Sequence, residues 1–76
     1  MLIQESEEME SGMQELEALL DYLVKHNAYH AGEIIDLATR AQALGKKQVY
    51  DHLIRGVDLL NSSNESLKAA LTVLRG

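Results

Sequence analysis

The chain has 76 residues, of which 46% are hydrophobic and 25% are charged, and its formal net charge is −5. A chain of this length forms at most one small domain, near the size at which a single core barely offsets chain entropy, so self-association or a bound metal is a reasonable expectation. Because cysteine is absent, disulfides and thiolate metal sites are excluded. Tryptophan and phenylalanine are also absent, which argues against stacking on nucleobases.

The sequence gives no support for catalysis or membrane insertion. It has no glycine-rich phosphate loop and no serine in a nucleophile elbow, and so short a chain has little material for a cleft, so we expect no enzyme activity. The longest apolar run is only a few residues, so we expect neither a signal peptide nor a membrane span. The lack of cysteine agrees with a cytoplasmic location, which we expect.

Charge is distributed unevenly along the chain. Residues 1–24 contain seven acidic residues and no basic ones, whereas residues 25–76 contain five acidic and seven basic residues. This acidic half argues against binding to nucleic acid or to an anionic membrane surface, both of which need clustered lysine and arginine. The simplest interpretation is a solvated helix face. The alternative is a contact with a protein partner that has a basic surface.

Apolar residues follow a heptad pattern in both halves of the chain, which is rich in helix formers and free of proline. Steps of four and three residues connect Met9, Met13, Leu16, Leu20, Leu23, Asn27, His30, Ile34, Leu37, Ala41 and Leu44. The same steps connect Leu53, Val57, Leu60, Asn64, Leu67, Leu71 and Leu74. Such a pattern predicts two helical segments that pack lengthwise as a coiled coil. The residues expected in this contact are Leu16, Leu20, Leu23, Ile34, Leu37, Leu53, Val57, Leu60, Leu67 and Leu71.

Gly45 separates the two patterns and predicts the turn of an antiparallel helical hairpin, because glycine readily adopts the left-handed conformation that ends a helix. Capping residues permit two further breaks in the helices. Asn27 could cap a new helix, which would give three helices, and Ser62 with Glu65 forms a capping box. Because the heptad pattern runs through both points without a slip, we favour continuous helices.

We therefore expect one all-α domain over residues 1–76, with residues 1–14 as an acidic N-terminal extension of the first helix. A second helix that folds back at Gly45 is too short to cover this extension, which leaves apolar residues such as Met9 and Met13 without a packing surface. Association of two hairpins into a dimeric four-helix bundle would supply that surface, and so would a three-helix bundle within one chain. We expect the dimer.

A polar layer is predicted within the aliphatic pattern. Residues that face each other across a turn at Gly45 have numbers that add to about 90, which places Asn27 near Asn64, with His30 close by. A buried layer of Asn27, His30 and Asn64 would fix the register of the helices at some cost in stability.

The same region contains a candidate metal site. His26 and His30 are four residues apart and lie on one helix face, with Glu33 one turn further along. Two imidazoles at this spacing can chelate one divalent ion, and a carboxylate can complete the ligand set. These ligand types suit zinc, nickel or cobalt rather than calcium. The sequence therefore permits a metal-binding or metal-sensing protein that uses His26, His30 and Glu33.

Two short runs carry a resemblance to other proteins. The run HNAYHAGEI at residues 26–34, followed by NESLKAAL at residues 64–71, resembles small uncharacterised helical proteins and domains of anaerobic bacteria and archaea that share an H-N-x-x-H-A-x-E signature. The similarity extends over residues 16–74. It implies no activity, and it supports a common role for the two histidines and the glutamate of the signature.

The leading hypothesis for function is a non-catalytic interaction or self-assembly module that forms a homodimer, and the sequence makes no cofactor certain. The second hypothesis is the small binder of a divalent transition metal.

Overall fold

The computed structural model describes residues 2–76, with side chains described from Glu10 onward. It contains two α-helices, α1 at Leu2–Ala43 and α2 at Lys47–Arg75, which pack against each other as an antiparallel hairpin about 65 Å long. The predicted all-helical hairpin is confirmed. The predicted packing of Met9 lies outside the described side chains.

Both helices are continuous at the two points where capping residues permitted a helix break. Helix α1 passes through Asn27, and α2 passes through residues 62–65. The uninterrupted heptad pattern was therefore the better guide than the local capping signals, because isolated capping residues occur inside helices by chance. Within the described residues, neither helix has an apolar stretch long enough to cross a membrane.

The turn between the helices is the predicted one and has a Schellman geometry. Gly45 has a φ of 72°. Its N–H donates to the carbonyl of Gln42 at 3.0 Å, and the N–H of Lys46 donates to the carbonyl of Ala41 at 2.9 Å. These two bonds satisfy carbonyls that the end of α1 would otherwise leave unpaired, and the left-handed residue reverses the chain.

Helix α2 contacts α1 with the residues that its heptad pattern predicted. Its buried residues are Val57, Asn64 and Leu71. The half-buried residues at the intervening heptad positions are Leu53, Leu60, Leu67 and Leu74. The spacing of four and three residues therefore describes the inner face of α2, beside which Ile54 is also half-buried.

The inner face of α1 agrees with the prediction at four of the ten heptad positions from Met13 to Leu44. Leu20, Asn27 and Ile34 are half-buried and Ala41 is buried, as expected. At the alternate positions the inward residues lie one place later along the chain, at Val24, Ala31 and Ala38. The expected inward placement of Leu16, Leu23 and Leu37 is wrong, since these side chains are between 41% and 51% exposed.

Side-chain size explains this shift. Ala31 and Ala38 are 5% and 1% exposed, and short side chains at a helix contact allow the two helices to approach each other closely. Leucine at the same contact would hold the helices further apart. The strict steps of four and three residues predict Leu23, His30 and Leu37 at this contact, whereas the structure places Val24, Ala31 and Ala38 there.

An ion-pair group ties the end of α2 to α1. The Nε of Arg75 donates to Glu17 at 2.7 Å, and its Nη2 lies 3.5 Å from an oxygen of Asp21. The second oxygen of Asp21 lies 2.8 Å from the Nζ of Lys25. The hydrogen bond from Lys25, with a smaller effect of the Arg75 charge, lowers the pKa of Asp21 below its ordinary value of 3.8. The hydrogen bond to Glu17 raises the pKa of Arg75.

Replacing the turn glycine tests the geometry of the hairpin. Gly45→Ala places a Cβ on a residue with a left-handed φ, so we expect a loss of stability of about 1 kcal/mol in urea unfolding. Gly32→Ala is the matched control, since Gly32 lies inside α1 and an added Cβ there meets nothing within 4 Å. The control should gain about 0.5–1 kcal/mol. Equal effects of the two changes would contradict the assigned turn.

The pH dependence of stability tests the Asp21 ion pairs. Because the folded chain lowers the pKa of Asp21, its stabilising effect is present above the unfolded value and is lost as the pH falls through the native one. Asp21→Asn should therefore be less stable than the unmodified chain near neutral pH, and the gap should close as the pH falls through the lowered native pKa of Asp21. Asp36→Asn removes a carboxylate for which no ion pair is described, and it should show no such gap. A gap that persists in acid would contradict this account.

Candidate functional site

A pair of asparagines crosses the middle of the helix interface. Asn64 is 4% exposed. Its Nδ2 donates to the backbone carbonyl of Val24 at 3.0 Å, and its Oδ1 accepts from the Nδ2 of Asn27 at 3.3 Å. No buried side-chain nitrogen or oxygen in the described part of the chain lacks a partner. Because a slip in register would bury an unpaired amide, this pair fixes how α1 and α2 align.

His30 lies away from the asparagine pair. The one-residue shift of the inner face puts Ala31 at the contact with α2 and leaves the His30 side chain 48% exposed. The polar layer at the interface therefore consists of Asn27 and Asn64, and His30 belongs to a different edge of α1.

The three residues of the predicted metal site lie together on that edge. The Nε2 atoms of His26 and His30 are 2.8 Å apart, and the Nδ1 of His30 is 2.8 Å from the Oε1 of Glu33. His26 is half-buried, whereas His30 and Glu33 are exposed. The spacing of four and then three residues along one helix is sufficient to produce this arrangement.

Hydrogen positions in this cluster follow from the chemistry of the acceptor. An ionised carboxylate only accepts, so the Nδ1 of His30 donates to Glu33. A neutral His30 then has a free lone pair on Nε2, which accepts from the Nε2–H of His26. His30 is therefore held in the tautomer that binds metals through Nε2, with a carboxylate on the opposite ring nitrogen, as is usual for metal-ligating histidines.

Tyr22 supports the cluster and was not included in the candidate site from sequence. Its ring stacks on that of His26, with centroids 5.2 Å apart and an interplanar angle of 16°. His26 and His30 meet edge to face, with centroids 4.2 Å apart. The spacing of four residues between Tyr22 and His26 is the signal that could have identified this contact, since such pairs are neighbours on a helix.

The cluster in one chain offers two nitrogen ligands rather than a complete site. Within the described residues, no group of three or more histidine, aspartate or glutamate side chains has the arrangement of a metal site. Glu33 contacts the ring nitrogen of His30 that faces away from His26. In a single chain, Glu33 therefore orients His30 instead of adding a third ligand.

Exposed residues at a strict spacing of seven continue from this cluster along α1 and into the turn. We call them the outer heptad row, and they are Leu16, Leu23, His30, Leu37 and Leu44. The leucines at the two ends are 50% and 75% exposed. The heptad pattern predicted that these four leucines and His30 face α2, but each of the five side chains is more than 40% exposed. His30 stands at the centre of the row, with two leucines on each side.

The chain belongs to the family described as domain of unknown function (DUF8180), which matches residues 16–74. The matched segment begins with the first leucine of the outer heptad row and includes the histidine cluster, the asparagine pair and nearly all of α2. No curated protein and no solved structure matches the chain.

Variants of the asparagine pair test its role in the register. Asn64→Ala removes the partner of Asn27 and both bonds to α1, so we expect a loss of about 1–3 kcal/mol in thermal or urea unfolding. The double change Asn27→Leu with Asn64→Leu removes both amides and should be as stable as the unmodified chain or more so. That variant should also lose a unique register, which duplicated backbone amide signals in NMR spectra would report. A less stable double variant with a single set of signals would contradict this role.

Proposed function

We propose that this member of the family is a non-catalytic self-association module, in which two hairpins pack through the outer heptad row and form a four-helix bundle. The observation that best supports this proposal is the row itself, in which leucines repeat every seven residues on an exposed face. Contiguous exposed apolar surface on a small protein is typical of an interaction site. A strict heptad spacing matches the lengthwise packing of another helix.

The small core of the hairpin favours further burial. Among the described residues, the buried apolar side chains are Ala31, Ala38, Ala41, Val57 and Leu71, and no large side chain is fully buried. Three alanines, one valine and one leucine remove little apolar area from water, whereas each leucine buried in a dimer would contribute about 1.5–3 kcal/mol. A single hairpin therefore buries little apolar area to stabilise its fold, and packing against a second copy would bury more.

The exposed area agrees with an interface of dimer size. The chain exposes 6110 Å². A compact monomer of its mass, 8.5 kDa, is expected to expose about 4,650 Å². The excess of about 1,450 Å² per chain follows from the elongated shape of the hairpin, 65 × 15 × 13 Å, which leaves enough exposed surface for an interface of dimer size.

The outer heptad row is complementary to a second copy of itself. Its residues are symmetric about His30, so antiparallel packing of two α1 helices places Leu16 opposite Leu44 and Leu23 opposite Leu37 of the other copy. A twofold axis at His30 then pairs every leucine of the row with a leucine. This self-complementarity favours a second copy over an unrelated protein as the occupant of the face.

Charge favours the same antiparallel arrangement. The acidic residues Glu10 and Glu15 lie toward one end of α1, whereas Arg40, Lys46 and Lys47 lie at the turn. Antiparallel packing brings the acidic end of each copy near the basic turn of the other. Parallel packing would bring like charges together at both ends.

A charge placed in the outer heptad row tests the proposal. Leu37 is 51% exposed in the hairpin, so glutamate is tolerated in a single chain, whereas a symmetric dimer would bury two unpaired carboxylates. We expect Leu37→Glu to raise the dimer dissociation constant at least about a hundredfold, which corresponds to about 2.7 kcal/mol. Equilibrium sedimentation, with circular dichroism to follow helix content, measures the effect.

Leu59→Glu is the matched control, because Leu59 is 63% exposed and lies outside the outer heptad row. This variant should dimerise as the unmodified chain does. Loss of helix content in Leu37→Glu that is recovered at high protein concentration would also support the proposal, since folding is then coupled to association. An unmodified chain that stays monomeric, or a Leu37→Glu variant that dimerises normally, would show that another partner or none occupies this face.

A further inference from the structure

We infer that His26 and His30 of one chain, together with Glu33 of a second copy, bind a divalent transition-metal ion, so that the dimer holds two equivalent ions. This inference rests on the proposed dimer and names a ligand that stabilises it. The chemistry of two imidazoles and one carboxylate selects zinc, nickel or cobalt over magnesium or calcium.

The two imidazoles already converge on one point. Their Nε2 atoms are 2.8 Å apart, at hydrogen-bonding distance. A tetrahedral ion with metal–nitrogen distances of about 2.0–2.1 Å needs the two nitrogens about 3.3 Å apart. The rings therefore have to separate by about 0.5 Å, which small rotations of two exposed or half-exposed side chains can provide.

The tautomers require one change for both nitrogens to bind. His30 keeps its hydrogen on Nδ1, where Glu33 accepts it, so its Nε2 lone pair is free. His26 has to move its hydrogen from Nε2 to Nδ1. The ion then takes the place of that hydrogen between the two nitrogens, and two neutral imidazoles bind without a net loss of protons. Protons compete with the ion for these nitrogens, so binding weakens in acid.

The third ligand follows from the register of the proposed dimer. When two α1 helices run antiparallel with His30 on the twofold axis, residue 33 of one copy lies at the level of residue 27 of the other, between His26 and His30. His26 and Glu33 are seven residues apart and occupy the same heptad position. Equivalent flanking positions face each other across an antiparallel pair, so Glu33 of the second copy lies beside the two nitrogens.

Both roles of Glu33 are compatible with its chemistry. One carboxylate oxygen, Oε1, accepts from the Nδ1 of His30 in its own chain. The other oxygen is free to bind the ion held by the histidines of the second copy. Each glutamate thereby orients one histidine and completes the site of its partner, which explains why no three-ligand group occurs in the described part of a single chain.

Zinc titration of the untagged, metal-free protein tests the inference. We expect Zn²⁺ or Ni²⁺ to lower the dimer dissociation constant at least about a hundredfold and to raise the melting temperature by about 10 °C at a hundredfold excess over its own dissociation constant. Mg²⁺ should change neither quantity. Equilibrium sedimentation and metal analysis of the isolated dimer, expected to hold two ions, provide the measurements.

Three variants separate the roles of the residues. His30→Ala should abolish the effect of zinc, whereas His52→Ala should retain it, because the third histidine of the chain is exposed on α2 and outside the cluster. Glu33→Gln keeps an oxygen that accepts from His30 but removes the carboxylate. It should therefore lose the zinc-dependent tightening of the dimer. Full tightening in this variant would overturn the assignment of Glu33 as a ligand across the dimer.

The outcomes distinguish this inference from the proposed function. A dimer that zinc neither tightens nor stabilises would overturn the metal site and leave self-association intact. Zinc that binds one chain without any effect on dimerisation, or that acts equally on His30→Ala, would also overturn the site. A chain that remains monomeric with and without zinc would overturn both proposals.

Discussion

Burial of the alanines of α1 at the contact with α2 determines how the rest of this molecule is arranged. Ala31 and Ala38 are almost completely buried, and small side chains at a contact allow helix axes to approach each other. Because α1 uses its small residues for this contact, its leucines at the neighbouring heptad positions face outward. The hairpin therefore buries mainly small side chains between its two helices, while the leucines of the outer heptad row are exposed on α1.

The same contact places two nearby polar residues of α1 in different environments. Asn27 faces inward and bonds to the buried Asn64, while His30, three residues further along, faces outward beside His26. A rotation of α1 by one residue position would bury the imidazole and expose alanine. The amide pair sets the register within one chain, and the histidine edge remains available for chemistry with an ion and a second chain.

Much of the fold could be predicted from sequence, because the arrangement of two helices in a hairpin depends on a small number of sequence features. The Gly45 turn, the continuity of both helices and the inner face of α2 all follow from glycine, heptad spacing and helix propensity. The inner face of α1 could not be predicted in full. Apolar residues occupy three heptad positions of this helix, and only its packing against α2 decides which two of the three face α2. Val24, Ala31 and Ala38 satisfy the helical period as well as Leu23 and Leu37 do, and side-chain size decided between them.

The candidate site could likewise be predicted from sequence only in part. The spacing of His26, His30 and Glu33 predicted their proximity, since that proximity is local to one helix. The orientation of Glu33 toward the far nitrogen of His30, and the stacking of Tyr22 on His26, depend on rotamers that spacing does not specify.

Self-association is the central claim, and the concentration dependence of thermal unfolding tests it most directly. The unmodified, metal-free chain can be melted at concentrations that span a hundredfold range. If folding is coupled to dimerisation, the melting temperature rises with concentration, by about 5 °C or more over that range. A melting temperature that does not change with concentration, in a chain that sediments as a monomer, would contradict the account.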